Sequence, residues 1–164
     1  YREAIESADK AKQLNPFSPL LFMSKARILR DAKHYDEAKT EFEASLTRYP
    51  GDNTILWQYA VYYVALGDLN QAIRVLQQRT VGKTNWIFGY CYGKLGQEAK
   101  AREILDVHLK LAKEQYISPS FIASIYWSLG EKEKAAEWID KEEMYYFSLV
   151  PFIQEIEQYA ESGS

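Results

Sequence analysis

The chain has 164 residues, 47% of them hydrophobic and 26% charged, which is enough to bury a core within one domain. Lys and Arg number 20 against 23 Asp and Glu, a formal charge of −3 with no block of one sign; the electrostatic footprint of a direct nucleic-acid or anionic-membrane binder is missing. No apolar run approaches the ~20 residues of a membrane span, and the single cysteine, Cys91, closes no internal disulfide, which fits a reducing compartment as well as an oxidising one; the expected location is cytoplasmic.

Helical periodicity predicts a lone first helix over Arg2 to Leu14 and then four pairs. The pairs are Pro19 to Ala32 with Tyr35 to Arg48, Asn53 to Leu66 with Leu69 to Arg79, Asn85 to Leu95 with Gln97 to Glu114, and Ser118 to Leu129 with Lys132 to Glu143. Pro16, Pro19 and Pro50 lack an amide proton and so start or stop helices, while Ser118 is placed to cap the helix that Pro119 opens. Beyond Met144 the pattern breaks, and Pro151 is positioned to begin a closing helix over Val150 to Ala160 that presents Phe152, Ile153, Ile156 and Tyr159.

Within these pairs one pattern recurs. Ala4, Ala38, Ala72, Ala101 and Ala135 follow one another at steps of 34, 34, 29 and 34 residues, the stride of a two-helix unit with one unit shortened by five. Four of these alanines are preceded five positions earlier by Lys33, Gly67, Gly96 or Gly130. Three are glycine, the residue that takes the left-handed conformation ending a helix at little cost, so each marks the bend of a hairpin.

This pattern resembles the tetratricopeptide repeat family over about residues 1 to 143. The unit from Pro19 carries the family's large and small positions at Phe22, Ala26, Leu29, Ala38, Phe42, Ser45 and Pro50. The next carries Leu56, Tyr59, Ala60, Tyr63, Ala72 and Leu76 and departs at Arg79; the third carries Phe88, Gly89, Tyr92, Ala101 and Leu105 with His108 at a usually small place; the fourth carries Ile122, Ala123, Tyr126, Ala135 and Ile139. The resemblance implies an all-α, right-handed superhelical solenoid of antiparallel helix pairs. It divides the chain into a half repeat at 1–16, repeats at 17–52, 53–81, 82–115 and 116–143, and a capping helix and tail at 144–164. Because the first helix has no hairpin partner, further repeats are expected upstream. The segment from Tyr116, with Pro151 and Phe152, is similar to carboxy-terminal repeats of bacterial regulators and signalling proteins, which implies as the alternative a regulatory or effector-sensing module.

The family's fold implies that first helices line a concave groove, and that the groove binds a peptide or helix of another protein. The residues so placed include Met23, Arg27, Arg30, Trp57, Gln58, Val61, Lys83, Trp86, Tyr90, Phe121, Ser124 and Trp127, an aromatic trough with a basic start. Trp57 and Trp86 are expected to act as anchors, since large aromatics dominate interface energetics, although tryptophans at helical spacing also pack across neighbouring first helices. The family's carboxylate-gripping pattern fits only at Lys83, so an apolar segment suits the trough better. Self-association is left open.

Chemistry of other kinds finds little support. Neither His34 nor His108 belongs to a metal-ligand spacing, and Gly82-Lys83-Thr84 lacks the earlier glycine and the strand of a phosphate loop. The expectation is a non-enzymatic scaffold without cofactor or metal.

Overall fold

The computed structural model describes residues 1–79 and 85–141 together with Ile156, Gln158 and Tyr159. Its helices are α1 (Arg2–Leu14), α2 (Pro19–Asp31), α3 (Tyr35–Arg48), α4 (Asn53–Ala65), α5 (Leu69–Leu76), α6 (Trp86–Lys94), α7 (Glu98–Glu114), α8 (Pro119–Ser128) and α9 (Lys132–Ile139). Two helices stop well short of their expected ends. After Leu76 the backbone tightens, with Gln78 and Arg79 amides donating three residues back, and α9 ends at Ile139. Most of the expected closing helix lies outside the described residues, yet Ile156 is fully buried in the core and the Tyr159 hydroxyl donates to Glu133 at 2.9 Å.

The four bends share one geometry. Lys33, Gly67, Gly96 and Gly130 all have φ between 63° and 80°. The amide after each reaches back five residues to a carbonyl: His34 to Leu29, Asp68 to Tyr63, Gln97 to Tyr92 and Glu131 to Tyr126, at 2.8 to 3.0 Å. This double-capped ending satisfies carbonyls that the last helical turn otherwise orphans, and it aims the second helix back along the first. Lys33 is the one bend residue with a Cβ, which crowds the backbone in the left-handed region. Lys33→Gly is therefore expected to raise unfolding free energy by about 1 kcal/mol, read from a denaturant titration; a loss of stability would show that the lysine side chain does more than occupy the turn.

Starts are capped where the chemistry allows it. Asp52 accepts from the amides of Thr54 and Ile55, Asp68 from Gln71, and Asn85 from Ile87. Ser118 departs from expectation, its hydroxyl engaging Ser120 Oγ at 2.7 Å rather than an amide of the first turn.

Packing then arranges the hairpins in a row. Each second helix lies against its own first helix, as α2 with α3, α4 with α5, α6 with α7 and α8 with α9. First helices also touch one another in sequence, α2 with α4, α4 with α6 and α6 with α8. Among the described helices no contact joins elements more than two apart in the chain, so the array is linear rather than a closed bundle. The small positions make the nesting close: Ala26, Ala38, Ala60, Ala72, Ala101, Ala123 and Ala135 are all fully buried. At Gly89 an added Cβ would meet Ile125 Cδ1 at 2.8 Å and Ile104 Cγ2 at 3.0 Å, so any larger residue there requires the isoleucines of α7 and α8 to shift. Two polar side chains at interior repeat positions, Lys25 where the pattern has a large residue and His108 where it has a small one, are accommodated by polar contacts. Lys25 pairs with Glu41 at 2.8 Å, and His108, buried on α7, hydrogen-bonds through Nδ1 with the Ile104 carbonyl oxygen at 2.9 Å.

Candidate partner-binding groove

The row of first helices is where a ligand-reading surface is expected, and its character follows from its neighbours. α4, α6 and α8 are flanked by a preceding element, their own second helix and, for α4 and α6, the next first helix. They are accordingly apolar nearly all round, as in TILWQYAVYYV and SFIASIYW, whereas α3 and α7 keep a charged outer face.

That enclosure overturns the expected accessibility of seven residues. Met23, Arg30, Gln58, Val61, Trp86, Tyr90 and Ser124 are all buried. Trp86 stacks on Phe121 with ring centroids 5.1 Å apart and planes inclined by 11°, a bridge between α6 and α8 rather than an open anchor. Arg30 donates through Nη1 to Gln58 Oε1 at 2.9 Å and pairs through Nη2 with Asp31 at 2.7 Å, tying α2 to α4. Burial is the larger influence on this guanidinium and draws its pKa below the ordinary arginine value despite the Asp31 carboxylate. Ser124 turns its hydroxyl back to the Ser120 carbonyl at 2.6 Å, and Tyr90 carries the Lys94 ammonium 5.9 Å over its ring. The sequence signal for this burial is present in retrospect: a Gln and an Arg 28 positions apart on consecutive inner helices are a matched donor and acceptor.

Four expected residues stay partly open: Arg27 on α2, Trp57 on α4, and Phe121 and Trp127 on α8. Leu20, at the start of α2, is 54% exposed beside them in sequence. Trp127 meets the Tyr159 ring edge-on at 5.8 Å and lies under the Lys132 ammonium at 5.5 Å. Lys83 lies outside the described residues.

No reactive constellation accompanies these side chains. Burial pushes the Cys91 thiol up to about 12, so it stays protonated at neutral pH and is a packing residue of α6. Among the described residues no three His, Cys, Asp or Glu side chains are grouped so as to hold a metal ion, and no helix is long and apolar enough to cross a membrane.

Antiparallel helix pairs repeated in a row, each closed by the same bend, define the class as an all-α helical repeat. Within that class, residues 29–80 and residues 121–141 each match a family model described as the tetratricopeptide repeat, so these stretches are tetratricopeptide repeats. No curated protein and no solved structure matches it. Such repeats make it a protein–protein interaction module.

Proposed function

We propose that the chain holds a segment of a partner protein against its row of first helices, with Arg27, Trp57, Phe121 and Trp127 as the contact residues. The observation carrying this reading is that these four keep accessible surface while the other described candidates of the same set, Met23, Arg30, Gln58, Val61, Trp86, Tyr90 and Ser124, are buried. An aromatic on a rigid helix loses little conformational freedom when a partner covers it, which makes it an efficient interface residue. Arg27, half-buried on α2, offers a charged donor group to an acceptor on the incoming segment. The expected occupant is an apolar segment bearing a carbonyl or carboxylate near its α2 end.

Selection of binders from a displayed random peptide library, followed by titration of one selected peptide, tests the assignment. Trp57→Ala and Arg27→Ala are each expected to weaken that peptide by roughly tenfold while the helical signal persists. Unchanged affinity in both variants would move the contact surface elsewhere on the array.

A further inference from the structure

The shortened repeat leaves a gap. α5 has 8 residues where α3 has 14 and α7 has 17, so the second hairpin lacks the length of outer helix that would lie against the third. α4 and α6 correspondingly meet over a much shorter stretch than α6 and α8. Between the end of α5 and the α6/α7 hairpin a cavity of about 460 Å³ opens, within the size range of small-molecule sites.

Its walls are of two kinds. Leu76, Phe88, Tyr92 and Ile104 supply apolar surface, the Phe88 and Tyr92 rings lying nearly parallel with centroids 6.1 Å apart. Arg79 also lines the cavity, and its Nε and Nη1 are closed off from solvent with no hydrogen-bond acceptor. Lys100 stands at the cavity with its ammonium 5.1 Å over the Tyr92 ring, held by Gln97 Oε1 at 2.8 Å. Glu103, exposed on α7, is the acidic lining residue, and it makes no ion pair with Arg79. The lining therefore carries a net charge of +1, from Arg79 and Lys100 against Glu103.

Two of the three guanidinium nitrogens of Arg79 are already shielded from water without an acceptor, so part of the desolvation is incurred while the compensating charge is missing. An entering carboxylate gains charge-assisted hydrogen bonds to a guanidinium that is already half-buried and so has less hydration to shed than an exposed one. We propose that this cavity binds a small carboxylic acid with an aromatic or branched apolar body, its carboxylate on Arg79 and its body between Leu76, Phe88, Tyr92 and Ile104. The site is separate from the first-helix row, so it stands or falls independently of the partner-binding proposal.

Calorimetric titration of the purified chain with phenylpropionate, and with phenylpropionamide as the uncharged isostere, tests it. The acid is expected to bind saturably, and the amide roughly tenfold more weakly or not at all. Arg79→Met is expected to abolish the preference for the acid, whereas Arg74→Met, on α5 and outside the cavity lining, retains it. Because Nε and Nη1 of Arg79 have no hydrogen-bond partner to lose, Arg79→Met is also expected to melt no lower than the wild type without ligand; Arg79→Gln serves as a second variant of the same charge loss. No saturable binding of phenylpropionate at millimolar concentration, equal affinity for acid and amide, or an undiminished acid preference in both Arg79 variants would each overturn the proposal.

Discussion

Trp86→Ala is expected to lower unfolding free energy by about 3–5 kcal/mol, the range for removing a large buried aromatic from a packed core. The indole is 2% exposed, so its truncation opens a cavity at the centre of the array. It also leaves the Phe121 ring without the face it stacks on, which adds to the loss because that pairing joins two hairpins and not one. A denaturant titration with unchanged slope and a shifted midpoint is the expected record. A variant of wild-type stability would mean that Trp86 faces solvent and that the enclosure of α6 is wrong.

Phe42→Ala is expected to have an effect of the same size, about 3–5 kcal/mol, at the other end of the stack. Phe42 on α3 is fully buried and stacks on Tyr59 at 5.2 Å while meeting Tyr62 at 5.8 Å, so one side chain fastens the first full hairpin to the second. The tyrosines around it also hold polar contacts that depend on their placement: Tyr59 shares a hydrogen bond with Tyr63 at 3.0 Å, and Tyr62 donates to the Tyr35 carbonyl at 3.2 Å. Burial, reinforced by the Tyr63 hydroxyl, holds the Tyr59 phenol above its ordinary pKa. If Phe42→Ala acts mainly at this junction, amide exchange should accelerate in α2 and α3 more than in α8 and α9, since each hairpin contacts only its neighbours. Uniform acceleration across the chain would instead indicate a single cooperative unit.

The architecture was legible because its causes are local. A left-handed bend at Gly67, Gly96 or Gly130 needs only a glycine, and the alanine five residues on needs only to be small; both survive in the sequence as a fixed stride. The Lys33 bend was found by register rather than residue type, and the structure gives it the same backbone as the glycines. Helix ends failed where tertiary context decides them, as at Leu76, where the shortened hairpin stops α5 before Arg79 although the residues between are not helix breakers.

The groove was less legible for a physical reason. Assigning ligand-facing positions by repeat register presumes that one side of each first helix stays open, and it read Trp86, Gln58 and Arg30 as surface. How closely one first helix approaches the next is set by residues on the neighbour: Ile125 on α8 fills the space over Gly89, and Phe121 covers Trp86. Such pairings join residues more than 30 positions apart, which a repeat pattern does not encode. Trp57, Arg27, Phe121 and Trp127 retain surface, and nothing in residue type separates them from the buried members of the same set.

The central claim is that consecutive first helices lie side by side in a nested row, and the Trp86–Phe121 stack is its most specific contact. A double-mutant cycle with Trp86→Leu and Phe121→Leu measures it directly, the leucines limiting the volume lost. A coupling of about 1 kcal/mol between the two sites is the predicted result. Additivity within about 0.3 kcal/mol would contradict it, because rings that do not touch lose nothing by being removed together.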